Sequence, residues 1–458
     1  MCSCEKWLDV DMKTKVKSEV LLENEQGFRD ALIGVYTNMI SESLYGRELT
    51  FGFFETLTGA YDIPSGNVQY YPVSQGQLTN TDVKAKTDKM WEGLYNVIAN
   101  VNNILDNIDA KKNVFSGDIY SIIKGEALAL RALLHFQAFK IFGDAADLTE
   151  DAIPYVKTLG NKVVPSSTGT QVLGFILADL KEAMDYLKKD PIYTTKSKIN
   201  DSDAFMNNRQ MRMNYYAAMA LYAEVSLWAG KPADALDYAT QVIAVCDEVF
   251  PWIDPATLTT SEVKGRDFTF STEHIFCIDV FNLKSLYTTW LSSTSPPDMN
   301  MLYKGSYYFN TWYQSTSVGS VDYRYVYLKA TSSYSTNNFV GLKFSQPDGY
   351  KKAYSLRIPL IRRSLMYYIA AECETDPARA KAYLDEVRSN RGINTPLVEY
   401  NDDELRREYV KEFWQEGHLF FYHKRRNITA NPTDRYLSFQ LKDKYIIEKP
   451  EAEIEYGK

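Results

Sequence analysis

A mainly α-helical fold is predicted, with helical hairpins forming a scaffold and irregular loop and short-strand insertions set between them. Three observations lead there. First, Ile122 to Asp144 (IIKGEALALRALLHFQAFKIFGD) has apolar residues at Leu130, Leu133, Leu134, Phe136, Ala138, Ile141 and Phe142, with almost no helix breakers between them. Steps of three and four residues describe a helix wrapped on most sides. Second, Met211 to Val249 reads as two helices around the turn Gly230-Lys231-Pro232, lined by Ala217, Ala218, Ala220, Ala223, Ala229, Ala235 and Ala239. Third, Tyr45 to Thr81 and Phe250 to Tyr354 lack a helical period and are rich in Gly, Ser, Asn, Thr and aromatic residues.

In order, Asn24 to Glu42 is an amphipathic helix with Phe28, Leu32, Val35, Tyr36 and Met39 inward, and Thr81 to Ile108 is a second, with Asp82 as expected N-cap. The central helix follows. Two charges within its apolar wrapping, Glu126 and Arg131, need partners, because a buried charge is tolerable only when paired. Each is expected to hold a neighbouring helix, and Gly143 to stop the helix in the left-handed conformation. Thr168 to Leu187 is helical and Pro191 closes that region. The Met211 to Val249 hairpin resembles a tetratricopeptide unit without the full set of large signature residues. Helix resumes at Pro359, breaks at Asp376-Pro377 and stops at Gly392. Asp402 is the expected cap of a last long helix, and the tail from Ile428 looks extended.

The chain has 458 residues, 45% hydrophobic and 24% charged, and a net charge of −8. That balance suits a large soluble core and argues against nucleic-acid binding, which needs clustered Lys and Arg. No run of 18 apolar residues is present to span a bilayer as a helix. Tyrosine is in surplus, at 34 residues, which fits either a recognition surface or a Tyr-rich core. Cys246, Cys277 and Cys373 sit singly in apolar surroundings, with pairing of Cys246 and Cys277 left open. No metal-ligand spacing and no cofactor motif occurs; calcium has no motif here either. The opening Met-Cys-Ser-Cys-Glu has no signal peptide of its own, yet looks like the end of a bacterial lipoprotein signal with Cys4 as the lipidated residue.

Several stretches together resemble the SusD/RagB family of outer-membrane nutrient-binding lipoproteins. They are Cys4-Glu-Lys-Trp-Leu-Asp; Glu126-Ala127 with Arg131-Ala132 and Phe142-Gly143-Asp144; Ile369-Ala-Ala-Glu372; Tyr383-Leu-Asp-Glu-Val-Arg388 with Arg391-Gly392; Glu412-Phe413 with Glu416-Gly417-His418 and Phe421; and Pro450 to Glu453. Each is weak alone; their order and spacing are specific. The loop Ala145 to Asp151 departs from the family pattern. The resemblance implies a lipid-anchored protein at the cell surface of the outer membrane that captures glycans, or peptides in some members. It would close over a SusC-like TonB-dependent transporter as partner. Residues 1–20 would be the anchor segment and 21–458 one SusD-like domain, with scaffold at 24–250 and 359–426 and ligand-binding insertions at about 45–81 and 250–354.

An aromatic face packs against sugar C–H groups while polar neighbours fix the hydroxyls, and no catalyst is required. Between Tyr287 and Tyr334, 12 of 48 residues are aromatic, with polar rather than aliphatic residues between them. The expected ligand-contacting residues are Trp290 and Trp312 foremost, then Tyr307 and Tyr308, with Tyr287, Tyr303 and Tyr313. From the earlier loop come Tyr61, Asp62, Asn67, Tyr70 and Tyr71. The competing reading is that most of these rings pack the loops onto the scaffold. No nucleophile elbow, HExxH or phosphate loop occurs, and His418 and His423 read as structural. Glu412 and Glu416 lie one helical turn apart, as glycosidase carboxylates would, but alternate with Arg406, Arg407 and Lys411, so a solvated or helix-bracing ion network is the better account. A binding lipoprotein without catalysis is therefore the first reading. The alternatives are an all-helical glycoside-acting enzyme, a peptide-binding RagB-like member and a repeat scaffold for protein alone.

Overall fold

The computed structural model describes residues 21–160, 162–199, 202–296, 299–428 and 445–457. Cys4 and most of the expected extended tail lie outside them. Helix α1 spans Glu25–Met39, capped by the Asn24 side chain, and α2 is the short Phe53–Leu57. Helix α3 spans Thr81–Ile108; its cap is Asn80, which accepts from the Asp82 and Val83 amides, so Asp82 sits inside the first turn instead of capping it. There its charge faces the positive helix end.

Helix α4, Ile119–Phe142, is the centre, and every residue from Ile122 to Phe142 is buried. Both of its predicted pairs form. Arg131 holds Asp179 through two contacts of 2.7 and 2.8 Å, while Glu126 accepts from Tyr36 at 2.7 Å and pairs with Arg209 at 2.6 Å. Gly143 ends α4 but in an extended conformation, φ −79°. The glycine is needed because a Cβ would stand 2.5 Å from the Phe139 ring, not because the backbone is left-handed.

Strands β1 (Asp151–Pro154) and β2 (Ser166–Thr168) form a small antiparallel pair leading into α5 (Gly169–Leu187), which opens with a Thr168/Gln171 capping box. Pro191 starts a short helical turn, Pro191–Thr194, instead of closing the region, since proline needs no amide partner in a first turn. Helices α6 (Tyr215–Trp228) and α7 (Pro232–Val249) form the predicted hairpin, turning at Gly230, φ +68°.

The stretch after Phe250 is more helical than predicted. Strand β3 (His274–Asp279) is followed by α8 (Leu283–Trp290), β4 (Lys304–Gly305), α9 (Ser306–Tyr313) and α10 (Tyr323–Tyr327). Strands β5 (Lys329–Thr331) and β6 (Asn338–Gly341) join β4 in a sheet of order β4-β6-β5. Strand β7 (Arg357–Arg362) pairs antiparallel with β3 and runs into α11 (Arg363–Cys373). Then come α12 (Pro377–Ser389), α13 (Asp402–Phe413) and α14 (Leu419–Arg425). Asn401, not Asp402, caps α13, and Gly392 takes the predicted left-handed turn at φ +87°. Pro450 stands just before a final helical turn, Glu451–Tyr456.

Neighbours in sequence pack in space: α4 lies between α3 and α5, α5 meets α6, and α7 meets α11, which meets α12. One apolar cluster runs through all of them and into the insertion. Cys246 and Cys277 are free buried thiols, each pushed up to about 12 by burial, so the open pairing is not made.

Candidate functional site

Helix α9 has the sequence SYYFNTWY, and its helical period sorts the rings. Phe309, Trp312 and Tyr313, at i, i+3 and i+4, face inward, and Tyr307 and Tyr308 are left outside. Phe309 lies 4.9 Å from Trp414, 5.4 Å from Phe339 and 4.7 Å from Tyr313, and the Tyr313 hydroxyl donates to the Lys411 carbonyl at 2.9 Å. The helix is thus nailed to α13 and β6 by its inner face. Its outer face presents two rings 5.3 Å apart and 82° to one another, 62% exposed at Tyr307 and 39% at Tyr308.

The foot of the helix is fixed by a residue 242 positions earlier. Lys304 donates to Asp62 at 2.7 Å and to the Gly59 carbonyl at 2.9 Å, and Asp62 also accepts from the Gly305 amide at 2.8 Å. In return the Asp62 amide donates to the Tyr303 carbonyl at 2.8 Å. A Cβ on Gly305 would stand 2.9 Å from the Asp62 carboxylate, so this close approach needs glycine. The Lys304 ammonium lies 4.8 Å from the centre of the Tyr308 ring and 5.3 Å from that of Trp312, which holds the exposed ring from below. Burial lowers the Lys304 pKa and Asp62 works against that.

The other expected contact residues divide by burial. Trp290, Trp312, Tyr313, Tyr61, Tyr70 and Asn67 are buried, so none offers a free ring face or polar edge to a ligand. This corrects the ranking that placed Trp290 and Trp312 first. Trp290 packs edge-on against Tyr70 at 5.2 Å with Arg47 over its ring, and Tyr70 donates to Glu48 at 3.1 Å. Asn67 accepts from the Tyr70 amide at 3.2 Å and shapes the turn. Tyr61 sits 6.3 Å from Trp414. These residues lock the two insertions together. Asp62, Tyr71, Tyr287 and Tyr303 are half-buried. Trp290, Trp312, Tyr313, Tyr61 and Tyr70 are therefore embedded in a core, an aromatic one.

Lys304, Asn310, Tyr325 and Trp414 were missed by sequence reasoning. For Lys304 there was a faint signal, since it is the last charge before the uncharged run Ser306 to Val321. Beyond them lies a sealed ion network that fastens the insertion to the C-terminal helices. Glu412 meets Arg391 at 2.7 Å, Arg324 at 3.0 Å and also Arg362. Glu416 holds Arg362 at 2.9 Å and pairs with Lys343, and Glu273 holds Arg391 at 2.6 Å. Burial alone would raise the Glu412 carboxyl, but Arg391 and Arg362 outweigh it and hold it well below the usual range. So the network is buried instead of solvated, and its partners are distant arginines, not the alternating Arg406 and Arg407. A carboxylate held ionised this way has no proton to donate as a general acid. His423 is buried and His418 half-buried, and both are kept near pKa 3, chiefly by desolvation.

A protein-family model described as "Starch-binding associating with outer membrane" (SusD-like) matches residues 6–207. A SusD-like protein of Formosa agariphila is 26% identical over 191 residues, 40% of this chain and 35% of the relative, so the match spans about a third of that protein's length. Among solved structures, a SusD superfamily protein of Bacteroides thetaiotaomicron superposes with a TM-score of 0.72 at 20% identity, covering 95% of this chain and 98% of the other. A putative sugar binding protein of Bacteroides vulgatus gives 0.69 at 20% identity, covering 92% and 91%. A SusD-like carbohydrate binding protein of the same species gives 0.70 at 17%, covering 94% and 96%. Over residues 6–207 the sequence is similar to the SusD-like family model, and over nearly its whole length the fold is that of the SusD superfamily structures.

Proposed function

We propose that the protein is a cell-surface, outer-membrane lipoprotein, anchored through Cys4, that binds an oligosaccharide and delivers it to a SusC-like TonB-dependent transporter without chemical turnover. The observation that carries this reading is the Tyr307/Tyr308 pair. Two exposed aromatic rings, held at a right angle on a helix whose inner face and foot are both fixed, form a preorganised corner for sugar C–H faces. Half-buried Asp62, Tyr303 and Tyr71 lie on the adjoining loops and are assigned to the polar rim. The names of the similar family and of two structural relatives, starch-binding, sugar binding and carbohydrate binding, agree with it. In this reading residues 21–458 act as one unit and the stacked helical hairpins are tetratricopeptide-like scaffold, which leaves the insertions free to carry the ligand.

Catalysis is disfavoured by the clamped state of Glu412 and Glu416, the one carboxylate pair that the sequence offered for it. The test is a glycan-array screen of the soluble chain, with product analysis of every hit by mass spectrometry. Saturable binding with unchanged oligosaccharide is the expected result. Shortened product would overturn the binding reading, and capture of peptides with silence across glycans would move the assignment to a RagB-like peptide binder.

A further inference from the structure

One cation of the insertion that holds the tyrosine corner has no carboxylate partner among the described residues. Lys329, on β5, holds its ammonium 4.1 Å from the centre of the Tyr325 ring and 4.7 Å from that of Phe339. It is half-buried, and among the described residues no carboxylate lies within ion-pair distance of it; burial alone lowers its pKa. Other cations of the region have carboxylate partners: Lys304 has Asp62, Lys411 has Glu408, Lys343 has Glu416, and Arg324 has Asp322, Glu408 and Glu412. A partly desolvated ammonium of this kind gains from a counter-ion.

Lys329 is also joined to the corner. The Tyr325 hydroxyl beneath it donates to Asn310 Oδ1 at 2.8 Å, and Asn310 is three residues after Tyr307 on α9, hence on the same side of that helix. Corner, amide, ring and ammonium therefore follow one another along one edge of the insertion.

Resting on the proposed oligosaccharide site, we propose that Lys329 forms an anion subsite of that site, so that the ligand class is an acidic oligosaccharide whose carboxylate or sulfate pairs with the Lys329 ammonium while a neighbouring sugar ring packs on Tyr307 and Tyr308. An ammonium already partly stripped of water and held over two rings loses little further hydration when an anion arrives. The two rings also fix its stem in place.

The test titrates the full chain with three oligosaccharides of one backbone and length: neutral, carboxylated and sulfated. The acidic members are expected to bind about tenfold more tightly than the neutral one at low salt. That advantage should shrink in 0.5 M salt and vanish in Lys329→Met, which keeps the apolar stem, while Lys329→Arg retains it. The carboxylated and sulfated arms tell which acid is preferred. Equal affinity for neutral and acidic members, or full retention of the acidic preference in Lys329→Met, would overturn the subsite and leave the tyrosine corner standing. Undiminished binding of all three by Tyr307→Ala/Tyr308→Ala would instead remove the corner itself, and with it this inference.

Discussion

Asp62 and Lys304, 242 residues apart, share one ion pair of 2.7 Å, and through it an early loop sets the foot of a helix in a distant insertion. Because Lys304 is almost fully buried and Asp62 partly exposed, the pair is asymmetric: losing the carboxylate strands the ammonium, while losing the ammonium leaves a carboxylate that water can reach.

Asp62→Ala is therefore expected to cost about 1–3 kcal/mol, the penalty for taking the carboxylate from a buried ammonium that still donates to the Gly59 carbonyl. Urea unfolding would measure it, and Asp62→Asn, which still offers an oxygen, should recover part of the loss. Oligosaccharide affinity should fall with the Ala variant, since Gly305 and the start of α9 lose their acceptor.

Trp312→Ala separates packing from contact. The ring is 1% exposed and lies against Phe309, so truncation should cost about 3–5 kcal/mol in stability. Thermal melts read the loss directly. A variant that kept wild-type stability and lost only binding would return Trp312 to the ligand face.

Glu412 neutralises parts of three arginines in a site without water access. Glu412→Gln is expected to destabilise by roughly 3–5 kcal/mol, because uncompensated buried charge remains. Soluble yield and denaturant midpoint would report it, and no oligosaccharide-cleaving activity should appear or disappear with the change.

Three of the four histidines are buried and His418 is half-buried, and all four hold depressed pKa values, about 3 for His135, His418 and His423, with desolvation the leading cause. An unfolded histidine titrates near 6.5, so the unfolded chain takes up protons that the folded one refuses. The stabilisation is full above pH 6.5 and is lost as pH falls toward 3, with each histidine adding up to about 1.4 kcal/mol per pH unit. Glu55 acts in the opposite sense: burial raises its carboxyl to about 8, against the two amides of Gln415 and Gly417, so its contribution is full below pH 4.5 and lost as pH rises to 8. Melting temperatures from pH 8 to 4 should fall steeply on the acid side, and Glu55→Gln should flatten the alkaline side alone.

Much of the scaffold was legible because burial leaves a period in the sequence. Every residue from Ile122 to Phe142 is enclosed, and the charges of Arg131 and Glu126 had to find partners, which they did in Asp179 and Arg209. Caps were misplaced by one or two residues, at Asn80 and Asn401, where two capping-competent side chains adjoin. The binding face was harder to read. Ring density between Tyr287 and Tyr334 marked the right region, but exposure depends on which way each backbone segment turns, and large rings such as Trp290 and Trp312 are the ones a core takes first. Spacing held a usable clue, since 309, 312 and 313 form an inward helical stripe that leaves Tyr307 and Tyr308 outside. Nothing local could have paired Asp62 with Lys304 or gathered Glu273, Arg324, Arg362, Arg391 and Glu412, because those contacts exist only once the fold has closed.

The central claim is that the tyrosine corner holds the ligand, and the measurement that tests it most directly is isothermal titration of the best oligosaccharide hit into wild type and Tyr307→Ala/Tyr308→Ala. Both rings are on the surface, so the variant should melt within about 0.5 kcal/mol of wild type while its affinity falls at least tenfold. A double variant that folds normally and binds as tightly as wild type would contradict the account.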